Sequence, residues 1–280
     1  MTARPPLPVR FLASALAAGA LLTASACSDD DGGGSQAADV PASPVAEGSA
    51  TPLAAKSPTP SASGRLTEAG ARAALITEAD IEDDWTKVAD AASWRDKLLV
   101  GKVDVADFLT AKAQAADCQQ LLDTLYGDDL LGKPSGASAL TGFEQGDSRL
   151  LYQVAAYDRA ALDASLNRLK SLPVTCDEFT VTDSAGGKRT VQVTEAPVPD
   201  EGDARQGLHV TVQGTAADAP ATLTLDIAVV RVGTDAITVT AGGLAGGESD
   251  SVGQAVRQGT PRLKDVQAGR TPPADPNEID

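Results

Sequence analysis

Four segments in the second half of the chain alternate apolar and polar residues with a period of two: 190–194 (TVQVT), 208–213 (LHVTVQ), 222–229 (TLTLDIAV) and 237–240 (ITVT). Successive side chains of a strand point to opposite faces, so such runs imply strands with one dry and one wet face. That is the mark of an antiparallel sheet covered on one side. The turn signals agree. Ala185-Gly186-Gly187 separates 179–182 from 190–194, and Gly233-Thr234 separates two strands as a tight hairpin should. Two earlier strands, 139–144 and 150–157, turn at Gly146-Asp147. The expected dry face carries Val191, Val193, Leu208, Val210, Leu223, Leu225, Ile227, Ile237 and Val239. The opposite face then presents Gln192, His209, Thr211, Gln213, Thr222, Thr224, Asp226, Thr238 and Thr240.

Helices supply the cover. From 105 to 126, Phe108, Ala111, Ala115, Cys118, Leu122 and Leu125 recur at helical spacing, which predicts one helix with Cys118 facing the core. A second helix follows Asp158 as N-cap, buries Leu162, Leu166 and Leu169, and ends at Pro173. A last helix over 250–266 is expected to break at Gly259 and Pro261. The class is α+β: a single domain over 66–269, with a roughly six-stranded antiparallel sheet and helices packed on one face.

Residues 1–26 read as a lipoprotein signal peptide. Arg4 and Arg10 precede an uncharged apolar run, FLASALAAGALLTASA, too short to span a bilayer and right for a secretory signal. Small residues before Cys27 resemble the bacterial lipobox, in which that cysteine receives a diacylglyceryl group. The implied partner is the membrane, through an anchor on Cys27. The implied location is the extracytoplasmic face of the cell membrane. Residues 27–65 read as a disordered tether, rich in Ser, Ala, Gly and Pro without an aromatic residue. As a flexible coil it spans roughly 35 Å. The tail 270–280 reads as disordered too. With Cys27 lipidated, Cys118 and Cys176 remain, and an even count in an exported chain predicts a disulfide between them.

The segment Val229-Val230-Arg231-Val232-Gly233-Thr234-Asp235-Ala236-Ile237-Thr238-Val239 resembles the terminal hairpin of the PknH-like extracellular domains. Those are the sensor domains of actinobacterial receptor kinases and of related surface lipoproteins. Leu75-Ile76-Thr77-Glu78-Ala79-Asp80-Ile81 resembles the family's opening segment. The order of elements is similar over most of 75–266. The kinase sensors usually hold two disulfides; this chain has cysteines for one and no kinase domain. The resemblance implies a fold, a location and ligand binding, with no ligand named.

Charge and composition exclude several classes. With 23 Lys+Arg against 39 Asp+Glu, the net charge is -16, and aromatics make up 3%. Such a chain lacks the cations and stacking platforms that nucleic acid requires. One His allows neither a zinc motif nor a His-rich cluster. Gly127–Pro134 (GDDLLGKP) misses the phosphate loop at its last residue, since Pro134 has neither hydroxyl nor N–H. Gly242–Gly247 (GGLAGG) lacks dinucleotide-loop order and reads as a flexible loop, a candidate lip beside a cleft. The acidic run Asp80, Glu82, Asp83, Asp84 reads as solvated loop. No catalytic residue, metal ligand or cofactor is expected. The reading is a non-enzymatic cell-surface lipoprotein binding a small molecule, an envelope component or a protein, with Thr211, Thr224, His209 and Trp85 as candidate binding residues. The alternative is a lipid or glycolipid carrier, which requires a large apolar cavity between sheet and helices.

Overall fold

A computed structural model describes residues 65–81, 84–95, 99–100, 103–104, 109, 112–113, 115–182, 186–216 and 219–273. The signal, Cys27 and the tether up to 64 lie outside the described residues. So do Glu82, Asp83, Phe108, Ala111, Ala185 and the tail from 274.

Helix α1 (Glu68–Ala73) is the first element among the described residues, with the Thr67 hydroxyl accepting from the Gly70 N–H. Four two-residue strands follow: β1 (Thr86–Lys87), β2 (Leu99–Val100), β3 (Val103–Asp104) and β4 (Lys112–Ala113). Then come α2 (Ala116–Thr124), β5 (Ser138–Gln145), β6 (Ser148–Ala156) and α3 (Arg159–Thr175). The chain ends with β7 (Glu178–Thr182), β8 (Lys188–Glu195), β9 (Ala204–Ala216), β10 (Ala219–Val232), β11 (Asp235–Gly243) and α4 (Ser249–Gln267). Nine of these strands make one antiparallel sheet in the order β1-β5-β6-β11-β10-β9-β8-β7-β4, while β2 and β3 pair only with each other.

The expected sheet of about six strands is therefore too small. Its seven long strands are those the alternation marks. The other two, β1 and β4, are edge strands too short to carry a periodicity. The expectation that helices pack on one face is also wrong. Helices α2 and α3 cover the side lined by Val191, Val193, Leu208, Val210, Leu223, Leu225 and Ile227. Helices α1 and α4 cover the other side, over Phe143, Leu150, Tyr152, Val230, Ile237 and Val239. The reason lies in β10, where the alternation of Leu223, Leu225 and Ile227 gives way to Ala228-Val229-Val230, buried on both phases. The central strands thus need cover above and below.

Ile237 and Val239 are consequently misassigned by the sequence reading. The two-residue turn Gly233-Thr234 pairs Val232 with Asp235, so Ile237 stands opposite Val230 and Val239 opposite Ala228. Thr238 and Thr240 pair with Val229 and Ile227 and are buried on the α2–α3 side, not on the polar face.

Three helix limits differ as well. α2 begins at Ala116 rather than near 105, because Lys112–Ala113 pair with β7 and the Ala113 N–H donates to Gln119 Oε1 at 2.6 Å. α3 starts at Asp158 as expected, its carboxylate accepting from the Ala160 and Ala161 N–H groups, but runs past Pro173 to Thr175. α4 is unbroken through Gly259 and Pro261. The Cys118–Cys176 disulfide joins α2 to the end of α3 with a Cα–Cα distance of 5.7 Å.

Candidate functional site

The pairing register brings His209, Thr211 and Thr224 onto one patch. Gln192, Thr211 and Thr224 form one cross-strand row, and Thr194, His209 and Asp226 form the next. This patch continues, along the same sheet face, into the region that α4 and α1 cover. Toward the edge, Gln192, Thr194, Gln213 and Thr222 are exposed, while Thr211, Thr224 and His209 are half-buried.

Asp226 fixes the patch. It is 4% exposed. Its Oδ1 lies 2.7 Å from His209 Nδ1, and its Oδ2 accepts from the Glu248 N–H at 2.7 Å. A carboxylate only accepts, so the Nδ1 proton is donated to it. In the neutral ring the other nitrogen, Nε2, is then an acceptor, on a side chain 39% exposed. Glu248 is the N-cap residue of α4. The carboxylate therefore sits where the partial positive charge of a helix N-terminus favours it.

The glycine run forms the other border. Gly242 pairs with Gly247, and the Gly243 N–H donates to the Gly246 carbonyl at 3.2 Å. A Cβ on Gly247 would stand 2.3 Å from Asp226 Oδ2, and one on Gly242 would stand 2.1 Å from the Thr224 carbonyl. Only glycine lets the run press onto the polar rows, and Tyr126 pins Gly242 from the far side of the sheet, its hydroxyl donating to the Gly242 carbonyl at 3.2 Å. The expected loose lip is a run held by hydrogen bonds at both ends.

Beyond the Thr194–His209 row, where Glu195 pairs with Leu208 and the Ala196 N–H donates to the Gly207 carbonyl at 3.1 Å, lies a groove of about 410 Å³. Glu195, Ala196, Pro197, Val198 and the segment Ala204–Gly207 line it. Its lining sets Glu, Arg and Gln beside Ala, Pro and Val, so this groove is not the Leu- and Val-lined cavity that a lipid carrier requires.

Trp85 does not join the patch. It is 4% exposed, in the core beneath α1 and α4. Its indole Nε1 has no hydrogen-bond partner among the described residues. Trp94 is buried on the other side, edge-on to Tyr126 at 6.3 Å, with the Arg149 guanidinium 4.7 Å over its ring. Asp80 is structural: its Oδ2 accepts from the Thr77 N–H and pairs with Arg262 at 3.3 Å. No group of side chains suited to a metal ion occurs among the described residues. Among them, no helix is long and apolar enough to cross a membrane.

Alternation alone places His209 and Asp226 on the same face and does not reveal that they pair. The signal was the register: once Thr211 is set opposite Thr224, His209 falls opposite Asp226. The tie to Glu248 had no local signal, because it crosses from the sheet to the start of α4.

No family model matches the chain, and no curated protein does. Solved structures do. The chain is similar to the extracellular domain of PknH from Mycobacterium tuberculosis at 15% identity and a TM-score of 0.39, over 72% of this chain and 97% of that one. It is also similar to a putative uncharacterized protein from Mycobacterium smegmatis at 18% identity and a TM-score of 0.30, over 57% of this chain and 75% of that one.

Proposed function

We propose that this chain is a non-enzymatic surface lipoprotein. In this reading a diacylglyceryl anchor on Cys27 holds it at the extracytoplasmic face of the membrane. The sheet domain then binds a small molecule, an envelope component or a protein on the polar patch. The Cys118–Cys176 disulfide supports an oxidising, exported setting. The observation that carries the binding reading is the His209–Asp226–Glu248 chain of hydrogen bonds. A buried carboxylate costs desolvation energy. Here it orients one part-exposed imidazole beside Thr194 and the row of Gln192, Thr211 and Thr224. The patch lies open to water, where charge stabilisation of a transition state is weak, and this favours binding over catalysis.

The test is a photo-reactive residue at position 211 of the full-length chain in its native membrane, with one at Val174 as control. Val174 is 82% exposed and lies on the opposite side of the sheet, at the end of α3. The reading expects a discrete adduct from position 211 and none from 174. Equal labelling from both, or none from either, overturns it.

A further inference from the structure

Both carboxylate oxygens of Asp226 are occupied, one by His209 and the other by the Glu248 N–H. Its charge is thus turned inward. What the patch offers outward is the Nε2 acceptor of His209, the hydroxyls of Thr194, Thr211 and Thr224, and the amide of Gln192. None of these outward groups carries a fixed charge. An apolar ligand would strip water from them and leave them unpaired, at a cost. An anion would approach a chain of net charge -16. A cation would find the one carboxylate of the two rows already engaged.

Resting on the binding reading above, we infer that the patch takes an uncharged, hydroxyl-rich ligand, a neutral saccharide unit. Nε2 of His209 accepts one ligand hydroxyl proton, and the Thr and Gln side chains donate to and accept from the others. Asp226 is a positioning residue: it holds the Nδ1 proton inward, so that the neutral ring presents its Nε2 lone pair to the ligand.

His209 is the chain's single histidine, so its ring nitrogens give one unambiguous pair of ¹⁵N resonances. Full-length chain labelled with ¹⁵N-histidine, held in detergent micelles, is titrated with maltotriose, with mannotriose and with trigalacturonate as charged counterpart. The Nε2 resonance is expected to move saturably with a neutral sugar and to stay in place with trigalacturonate. His209→Ala should weaken the neutral sugar by about tenfold or more, and His209→Gln, whose amide oxygen still accepts, should recover part of that loss. If His209→Ala fails to fold, the titration of the unaltered chain decides alone. No movement with either neutral sugar, or a larger one with trigalacturonate, overturns the saccharide assignment. An adduct from position 211 without any sugar response removes the ligand class and leaves the binding reading standing; the absence of both removes both.

Discussion

Asp235 opens β11 as a buried carboxylate, and burial raises its pKa above the ordinary 3.8, offset in part by the Gln267 amide that donates to it at 2.8 Å. A raised folded-state pKa means the folded protein holds the proton more tightly than the unfolded chain. The associated stability is present in acid and lost as pH rises through the folded value. Asp235→Asn keeps an oxygen for Gln267 and removes the buried charge. It should raise stability at neutral pH by up to about 1 kcal/mol, and the gain should vanish as pH falls below the carboxylate range. Denaturant melts at pH 7 and pH 3 check this; a loss at pH 7 would mean the charge-assisted bond to Gln267 outweighs the burial. Tyr152 offers a second case. Its hydroxyl is buried with no hydrogen-bond partner among the described residues, and burial pushes its pKa far up. A Cβ on Gly259 would lie 1.9 Å from that oxygen. Gly259→Ala should therefore destabilise by about 1–3 kcal/mol, despite the better helix propensity of alanine. Tyr152→Phe should be neutral or stabilising, because it removes an unpartnered polar atom. In the double variant part of the Gly259→Ala cost should disappear, the remainder coming from the ring carbon Cζ, which would still stand 2.7 Å from that Cβ. Simple additivity of the two melts would show that α4 and Tyr152 do not meet through that hydroxyl.

Among the elements, the long strands were legible because alternation and turn residues agree over 139–157 and 190–240. Their faces were less so. Tracing Val232 to Asp235 through the turn would have placed Ile237 correctly, since a two-residue hairpin fixes register. The strand β4 was not legible: Lys112–Ala113 sit inside a helical spacing, and only pairing to Thr182 and Val181 makes them strand. The patch was half legible, because Thr211, Thr224 and His209 declare their face by alternation, whereas Trp85 beside an acidic run does not declare its burial. The short helix α2 depends on its bridge. It has no side-chain N-cap and buries Cys118, Leu121 and Leu122 against the sheet. Replacing both Cys118 and Cys176 by Ala should cost about 2–5 kcal/mol. Amide exchange should quicken in α2 before it does in β10, which is paired on both sides. Uniform exchange across the domain would show that the bridge acts through the unfolded chain alone.

For the whole molecule, the proposed reading makes attachment separable from folding. Its anchor, Cys27, precedes the sheet domain in the chain, so Cys27→Ala should leave the melting temperature of that domain unchanged. The same change should send the protein into the medium or leave uncleaved precursor, as fractionation would show. Mature protein still bound to the membrane would exclude Cys27 as the anchor. One further consequence follows from the ends of the sheet. At each end the outermost strand is only two residues long, β1 on β5 and β4 on β7, and each carries an exposed lysine, Lys87 and Lys112. Short, charged borders give a neighbouring copy little backbone to zip onto. Crowded side by side, copies of this domain would jostle without polymerising.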